Sequence, residues 1–527
     1  MISLFCTTRC FPQFIINEGS KITSTSLHKF TNIVNVKQKQ LSIKDVLKIP
    51  SNKFTLLPNG NTDLGFTKDN YWLHFSIKNN STKKLKYFLE SSRPVVDVAD
   101  FYKIEDNHLV DLQISGDVIP FENRSFKHRK TIFTVNLSPN STSDFYIHLK
   151  SDGEVINAPV LLMSEESFIS KTSFEQIVYG FFYGILAVAS ILYFFFFFAL
   201  KERVFLYYSL YVIFIGLMQF SIDGYFYQLV TPNGGWFSKH SVLIFAMIAG
   251  VMLGKYGEVF LKIKQYNPLI YKLFNIVYIL AFILIGVIVF VPSFFAYCYP
   301  LANVLGLAIL MLIIISVVYL YYNKKPVDTF FSFGVLFLIL GFGIFILNNF
   351  GEVPNTFLTQ NSSKLGTGLE IIFLSLSMGN LIKNLKKDRE NLQTLALQKL
   401  EEMSEMKSYF LSNISHELRT PLNTIMNFID SIDGETDSNS IREKCQIIKS
   451  SSTGLLSSVN DILDFSKIEK DEITLEVLEF DAHKLFEEIK TNITIRANKK
   501  GLNFHYSQSP NLPKILKGDV NRIRQIV

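Results

Sequence analysis

Seven apolar stretches constrain what this chain can fold into more than any other feature of its sequence. Of the 527 residues, 48% are hydrophobic and 49 are Phe, a composition too apolar for a purely soluble protein of this length. Each stretch is close to the roughly 20 residues that a helix needs to cross a bilayer. The sequence therefore predicts a multidomain membrane protein with a seven-helix transmembrane domain over residues 177–382. The spans are expected at about 177–200, 204–222, 241–261, 270–291, 296–322, 329–348 and 365–382.

Basic residues between the spans predict how the chain crosses the membrane. They lie in alternate loops and after the last span, at Lys201, Arg203, Lys262, Lys264, Lys324, Lys325, Lys383, Lys386 and Lys387. Because cytoplasmic loops are enriched in Lys and Arg, the N-terminal region is expected outside or in the periplasm and the C-terminal region in the cytoplasm. We therefore expect a multi-pass protein of the cell inner (plasma) membrane.

Ionisable residues inside the spans are candidates for signal coupling, since such groups are costly in a bilayer. Lys255 and Glu258 lie three residues apart in the third span, where an ion pair at the membrane interface is the simpler alternative, and Glu370 lies deeper in the seventh.

The charge and the cysteines of the chain argue against several classes of function. The net charge of +6 is small and spread along the chain, so no nucleic-acid partner is expected. No metal site or disulfide framework is predicted from the spacing of Cys6, Cys10, Cys298 and Cys445.

Residues 29–168 carry the alternation of β-strands. Apolar side chains recur at every second position from Tyr71 to Ile77, and similar alternation follows at 85–89, 133–137 and 145–149. Each such strand has one apolar face to bury, which favours an all-β sandwich of two sheets. Residues 1–28 make a poor signal peptide, because Arg9 and Pro12 interrupt a short apolar run, and could be the remnant of an export signal.

The octet Ser415-His416-Glu417-Leu418-Arg419-Thr420-Pro421-Leu422 lies on an amphipathic helix. Its stripe of apolar side chains, at steps of three and four, is formed by Leu411, Ile414, Leu418, Leu422, Ile425 and Ile429. His416 is two residues from Ile414 and from Leu418, so at about 100° per residue it is turned away from the stripe and should face solvent. Glu417 and Thr420 lie within one turn of it.

A second helix is expected to follow and to form a hairpin with the first. Its seam repeats at steps of four and three, at Ile441, Cys445, Ile448, Ser452, Leu455, Val459, Ile462 and Ser466. Two hairpins pairing as a homodimeric four-helix bundle would bury both seams and leave His416 outside. A heptad-like linker over 383–403 precedes this domain of residues 404–470. Beyond it a helix capped by Asp481 and a strand over Leu502–Tyr506 are predicted.

The octet, with Asn423 after it and Phe410-Leu411-Ser412-Asn413-Ile414 before it, closely resembles the H-box of the dimerisation and phosphoacceptor domain of sensor histidine kinases. The resemblance implies that His416 accepts a phosphoryl group from ATP, that Glu417 holds its ring in the nucleophilic tautomer, and that Thr420 orients water during dephosphorylation of the partner. It further implies ATP and Mg²⁺ as cofactors and a response regulator, acting in trans, as partner.

Residues 473–527 are similar to the start of the kinase ATP-binding domain, through Gly518-Asp519-Val520-Asn521-Arg522-Ile523-Arg524-Gln525. We expect an incomplete α/β ATPase domain, truncated before the segments that hold the nucleotide, with no cofactor-binding residue in the chain. The chain as given is then expected neither to bind ATP nor to label itself, although His416 could still accept phosphate in trans.

The N-terminal part resembles the extracellular domain, type 2, of bacterial seven-transmembrane receptors with diverse intracellular signalling modules (7TMR-DISM). The resemblance rests on Leu64-Gly65-Phe66, Tyr71-Trp72-Leu73-His74-Phe75, Tyr102, Gly116-Asp117 and Phe133. It implies a jelly-roll-like sandwich and a small-molecule or carbohydrate ligand. Trp72 could stack on a sugar, but a structural role for its ring is the simpler interpretation.

Together these patterns predict a transmembrane sensor histidine kinase of a two-component phosphorelay. Two alternatives stay open from the sequence: a seven-helix binding receptor or adaptor whose cytoplasmic hairpin only dimerises, and a kinase-dead partner that only accepts phosphate.

Overall fold

The computed structural model describes residues 12–60, 62–92, 94, 96–106, 108–350, 352–354, 356–433, 435–470, 472 and 474–527. The predictions for residues 1–11, including Cys6 and Cys10, lie outside this part of the chain. The chain divides into two compact units, Met1–Asn384 and Leu385–Val527.

The N-terminal part of the first unit is a β-sandwich, as predicted. Its first sheet has the strand order β4-β3-β6-β11-β8-β9, with β1 alongside β6, and its second sheet has the order β10-β7-β13-β2; β5 pairs with β12. The strands are β1 (Gln13–Ile16), β2 (Ser24–Ser26), β3 (Asn32–Asn35), β4 (Thr55–Leu56), β5 (Thr62–Phe66), β6 (Asn70–Asn79), β7 (Leu85–Ser92), β8 (Val98–Glu105), β9 (His108–Ser115), β10 (Thr131–Leu137), β11 (Ser141–Lys150), β12 (Val155–Ala158) and β13 (Leu161–Met163). A short helix α1 (Ile43–Val46) lies between β3 and β4.

Strand β6 is buried on both faces. Leu73, Phe75 and Ile77 point into the main core between the sheets, because apolar residues alternate along the strand. On the other face Trp72 is only 1% exposed and stacks on His148, with 4.8 Å between ring centroids. Trp72 is therefore a structural aromatic.

Seven helices among the described residues are long and apolar enough to cross a membrane, and each includes all, or all but one residue, of one predicted span. They are α2 (Glu165–Leu200), α3 (Arg203–Ile222), α4 (Trp236–Phe260), α6 (Pro268–Phe290), α7 (Phe295–Tyr322), α8 (Thr329–Asn349) and α10 (Ser362–Ile432). Shorter elements connect them: a π-helix (Phe226–Val230), α5 (Ile263–Tyr266) and α9 (Phe357–Gln360). The side chains on the outside of this bundle, such as Ile177 and Phe181, are apolar and exposed, as a lipid environment requires.

Helix α10 differs from the sequence-based expectation. The last span, the linker over 383–403 and the H-box were predicted as separate segments, yet a single helix runs from Ser362 to Ile432 with Pro421 inside it. The charged residues of the linker favour helix as strongly as the apolar ones do, so nothing in their composition ends it.

Helices α8 and α10 touch at two glycines. A Cβ added to Gly366 would lie 2.7 Å from the Cα of Gly341 and 2.7 Å from the carbonyl oxygen of Phe337. Because these atoms belong to the backbone, no rotamer change can make room.

We therefore expect Gly366→Ala to lower the free energy of unfolding by about 1–3 kcal/mol, the usual effect of overpacking. Gly368, two residues on, has no heavy atom within 4 Å of the same added group. Gly368→Ala should be neutral or stabilise by up to about 1 kcal/mol. Thermal unfolding of the two variants in detergent micelles measures the difference, and equal effects would contradict the close helix contact.

In the second unit α11 (Ser438–Glu469) returns along the end of α10. The rings of Phe410 and Phe465 lie 4.4 Å apart, and Lys444 Nζ donates to the carbonyl oxygen of Ser431 at 2.9 Å. The helical hairpin of the predicted fold class is thus present. Strand β14 (Leu478–Asp481) pairs antiparallel with β15 (Ile515–Gly518), and α12 (Ala482–Lys499) and α13 (Val520–Ile526) complete the unit.

The predicted cap of α12 is confirmed, since the Asp481 carboxylate accepts from the backbone N–H of Lys484 at 3.1 Å. The predicted strand over Leu502–Tyr506 is wrong, because those residues have no regular secondary structure. A strand needs a neighbour for its backbone groups. Within the part of this unit that the structure describes, β14 pairs with β15 and not with residues 502–506.

Candidate functional site

His416 lies on the exposed side of α10. Its neighbours at 414 and 418 are half-buried, while His416, Glu417 and Thr420 are all exposed. The imidazole therefore faces solvent, as the apolar stripe predicts. A ring in this position is open to a donor and to an acceptor from the same side of the hairpin.

Local hydrogen bonds and Pro421 shape the backbone beside this ring. Thr420 Oγ1 donates to the carbonyl oxygen of His416 at 3.1 Å, which ties the two predicted site residues together. Pro421 has no N–H and cannot donate to the carbonyl of Glu417 four residues earlier. The carbonyl oxygen of Glu417, in the turn that carries the imidazole, thus lacks its usual helical hydrogen-bond donor.

The hairpin has one apolar seam inside and another outside. The inner seam is half-buried and is formed by Phe410, Ile414, Leu418, Ile425, Phe428 and Ile432 of α10 with Ile441, Ile448, Leu455 and Ile462 of α11. The outer one is exposed and comprises Leu411, Leu422, Met426, Ile429, Leu456, Val459 and Leu463, of which Leu411 is 54% and Leu456 is 63% exposed. The continuous seam predicted on α11 is thus split between these two faces. The outer face is of the kind that a second hairpin covers.

A contact that sequence reasoning missed joins the hairpin to the C-terminal segment. Arg522 of α13 makes two hydrogen bonds to the carboxylate of Asp464 on α11, one of them Nη2 to Oδ1 at 2.8 Å. Hydrogen bonding to Arg522 lowers the pKa of Asp464. The two residues are 58 positions apart, so no local spacing indicates the pair.

The ionisable residues predicted inside the spans are also paired or buried. Lys255 and Glu258 form an ion pair at 3.0 Å. Glu370 is fully buried on α10 and accepts from the hydroxyl of Tyr211 at 3.1 Å.

A cleft of about 740 Å³ opens between the β-sandwich and the outer ends of the membrane helices. Its polar lining is supplied by the sandwich, by α2 and by the segment from the end of α8 through α9, and its apolar lining includes Phe174 and Phe357, whose rings meet edge to face at 5.1 Å. Ser24, Ser26, Glu90, Lys171, Glu175 and Glu352 are among the polar residues that line it. Its volume is in the range of ligand-binding clefts.

Ion pairs behind this cleft connect the sandwich to the bundle. Glu90 of β7 pairs with Lys171 of α2 at 2.8 Å and with Lys130 at 3.3 Å, and Lys130 also reaches Glu175 at 2.8 Å. Burial opposes ionisation of Glu90, but Lys130 and Lys171 outweigh it and lower its pKa to about 2. Arg129 also contacts Glu175, and no sequence pattern indicated this network.

Three family models match the chain. "7TMR-DISM extracellular 2" matches residues 30–164, "7TM diverse intracellular signalling" matches residues 175–380, and "His Kinase A (phospho-acceptor) domain" matches residues 406–471. The chain thus combines matches to an extracellular domain, a seven-helix receptor domain and a histidine kinase phosphoacceptor domain. It is a multi-pass membrane protein with an extracellular N-terminal region, and His416 lies inside the phosphoacceptor match.

Several histidine kinases are similar to part of the chain. The chain is 38% identical over 133 residues to hybrid signal transduction histidine kinase E of Dictyostelium discoideum, covering 25% of this chain and 8% of that protein. It is 35% identical over 141 residues to sensor histidine kinase RcsC of Escherichia coli (strain K12), covering 27% of this chain and 15% of RcsC. It is 32% identical over 145 residues to probable histidine kinase 4 of Oryza sativa subsp. japonica, covering 27% and 14%. The chain therefore spans 15% or less of the length of these relatives.

Proposed function

We propose that this chain senses an extracellular stimulus and carries the phosphoacceptor histidine of a two-component phosphorelay, with His416 as the acceptor. The observation that carries the proposal is the exposed imidazole on a packed hairpin, within the stretch that matches the phosphoacceptor family. Glu417 is proposed to stabilise the charged ring, and Thr420 to orient water when the phosphorylated partner is hydrolysed. The partner is a response regulator with an acceptor aspartate.

The chemistry at His416 follows from the imidazole itself. Its neutral form is nucleophilic near pH 7. Attack of a ring nitrogen on the donor's phosphorus forms a P–N bond, while the donor's P–O bond breaks and its oxygen leaves with the electron pair. The proton displaced from the ring passes to solvent. An aspartate oxygen of the partner then attacks the same phosphorus, and the P–N bond breaks with its electron pair returning to the ring nitrogen, which takes up a proton from solvent.

ATP with Mg²⁺ is the general donor of histidine kinases, and Mg²⁺ would neutralise charge on the transferred group. Among the residues that the structure describes, no group of three or more His, Cys, Asp or Glu side chains could hold a metal ion. We propose ATP and Mg²⁺ as cofactors without assigning them to residues of this chain.

The outer seam of the hairpin supports a homodimer. Packing it against the same seam of a second chain would form a four-helix bundle and remove Leu411, Leu422 and Leu456 from water, while His416 stays on the outside. On the extracellular side, the cleft beside Glu90 is the proposed site of a small-molecule ligand, with carbohydrates as one class.

The orientation in the inner (plasma) membrane yields a labelling prediction. In a background with the native cysteines changed to Ser, Glu122→Cys in the sandwich should react with an impermeant maleimide applied to intact cells. Lys387→Cys, after the seventh span, should react only once the cells are opened. The opposite pattern would overturn the proposed topology.

Phosphate chemistry tests the proposed function. Native membranes incubated with labelled ATP, Mg²⁺ and a complete histidine kinase partner as donor should yield label on this chain that is labile in acid and stable in base, as a phosphoramidate is. Adding the cognate response regulator should move that label to the regulator. Label that resists acid would place the phosphate on a hydroxyl and contradict the proposal.

A further inference from the structure

Three buried carboxyl groups converge where the β-sandwich meets helices α4 and α7. They are Asp97, Asp117 and Glu154, which are 3%, 5% and 5% exposed, and we name them the junction acid cluster. They come from three different loops, after β7, β9 and β11. Each has one carboxylate oxygen with no hydrogen-bond partner: Asp97 Oδ1, Asp117 Oδ1 and Glu154 Oε2.

The groups that face the cluster from the helices supply too little positive charge. From α4, Lys239 Nζ lies 3.5 Å from Asp97 Oδ2 and also contacts Asp152. From α7, the hydroxyl of Tyr299 donates to Glu154.

The sandwich side contributes one buried cation and one further acid. Arg124 is 2% exposed and donates to the carbonyl oxygens of Gly116 and His128 at 2.9 Å each. Asp152 donates its backbone N–H to Asp97 Oδ2 at 2.6 Å, while its own carboxylate is 45% exposed and lies 3.8 Å from Lys150.

The buried carboxylates of the cluster outnumber the cations near them, so the cluster requires a bound cation or a proton. Three buried carboxylates face two buried or half-buried cations, Lys239 and Arg124, and Lys239 is shared with Asp152. An unpaired buried carboxylate costs several kcal/mol, so it takes up a proton or a metal ion instead. No group among the described residues has the arrangement to hold a metal ion, which leaves the proton.

We propose that the junction acid cluster is a proton-binding site through which extracellular pH controls the contact between the β-sandwich and helices α4 and α7. The proton is thus a stimulus in its own right, bound at residues separate from those lining the cleft. That the change reaches His416 rests on the proposed function; proton binding at the cluster does not.

The electrostatic environment of the cluster sets the pH range over which it holds its proton. Burial, followed by the charge of Asp97, raises the pKa of Asp117 to about 8. Burial, followed by Asp117 and Asp97, raises the pKa of Glu154 well above its usual range. A carboxyl whose pKa is raised by folding contributes stability that is full below its ordinary pKa and is lost as the pH rises through the folded value. Loss is therefore expected to begin as the pH rises above the ordinary value of 3.8 and to be complete somewhat above pH 8.

Close backbone contacts lie beside the cluster, so a loss of stability there would disturb the packing of the sandwich on the helices. A Cβ on Gly153 would be 2.5 Å from the Cα of Ala296 on α7, and one on Gly234 would be 3.1 Å from the carbonyl oxygen of Asp117. Ionisation of Asp117 next to Asp97 adds like charge at this junction, and opening it to water is the available relief.

Infrared difference spectroscopy of the full chain in nanodiscs tests proton binding directly. Between pH 6 and pH 9.5 the wild type should lose a protonated-carboxyl C=O band with a midpoint near 8, and its thermal unfolding temperature should fall over the same range. In Asp117→Asn the component with a midpoint near 8 should be absent from both curves. In Asp97→Asn the midpoint should move down by about one pH unit, because a like charge has been removed.

The matched control is Glu122→Gln, an exposed carboxylate of the same domain that pairs with Lys127 and should leave both curves unchanged. A wild-type band that persists unchanged in Asp117→Asn would overturn the proposed site. If Asp117→Asn does not fold, the midpoint of Asp97→Asn is the test. An Asp97→Asn midpoint equal to that of the wild type would overturn the proposal. Phosphorylation of His416 in cells at external pH 6 and 9 separates the two claims. A band that responds without any change in phosphorylation supports the proton site and counts against the proposed output.

Discussion

Replacing His416 by Gln is expected to abolish phosphorylation of this chain in native membranes, a loss of at least about a thousandfold. Gln keeps a polar side chain at an exposed helical position, so the hairpin should fold as before. It has no nucleophilic ring nitrogen, and the P–N bond cannot form. Labelling with radioactive ATP, compared at equal amounts of membrane protein, measures the loss.

The matched control is His505→Gln, which removes another exposed histidine of the same unit and should label like the wild type. Glu417→Gln should weaken labelling by about 10²–10⁴, the usual contribution of a group that assists proton movement. Thr420→Ala should label normally and slow the loss of phosphate from the partner. Normal labelling of His416→Gln would show that the acceptor lies elsewhere.

Replacing Arg129 by Met is expected to lower the free energy of unfolding of the extracellular–membrane unit by about 3–5 kcal/mol, the usual cost of breaking a buried ion pair. The side chains of Arg129 and Glu175 are each 4% exposed and paired. Arg129 Nη1 also donates to the carbonyl oxygen of Asp223 at 3.1 Å, and its guanidinium lies 5.0 Å from the ring centroid of Tyr179. Removing it leaves Glu175 with Lys130 alone.

Thermal unfolding in micelles gives the size of this effect. The double variant Arg129→Met with Glu175→Met should recover part of the loss, because the pair is then removed as a whole while Lys130 keeps its contact with Glu90. The control is Lys86→Met, which breaks an exposed pair with Glu165 and should cost about 1 kcal/mol or less. A similar small effect of Arg129→Met would contradict the buried network.

Acid should weaken the same network. Because the pKa of Glu90 is held at about 2, its contribution is present above the ordinary value of 4.5 and is lost as the pH falls through about 2. This loss with falling pH is opposite in sign to the loss with rising pH expected from Asp117.

Features encoded by neighbouring residues could be predicted from the sequence. The seven spans follow from runs of apolar residues, the strands from alternation, and the exposed face of His416 from its spacing to Ile414 and Leu418. The octet around His416 is contiguous, so the candidate site needed no tertiary information.

Features made by distant residues could not be predicted. Arg129 and Glu175 are 46 positions apart and Tyr179 and Asn361 are 182 apart, and each pair meets only because the sandwich packs on the helices. The junction acid cluster comes from three loops for the same reason. The alternation at Leu502–Tyr506 was misleading because a strand also needs a partner, which periodicity along one segment does not supply.

The phosphorylated residue itself is the most direct test of the central claim. Native membranes are labelled with ATP, the chain is digested at neutral or basic pH to preserve a P–N bond, and the phosphopeptide is sequenced by mass spectrometry with electron-transfer fragmentation. We predict one phosphoryl group, located on His416 and absent after brief acid treatment. Phosphate on any other residue, with His416 unmodified, would contradict the account.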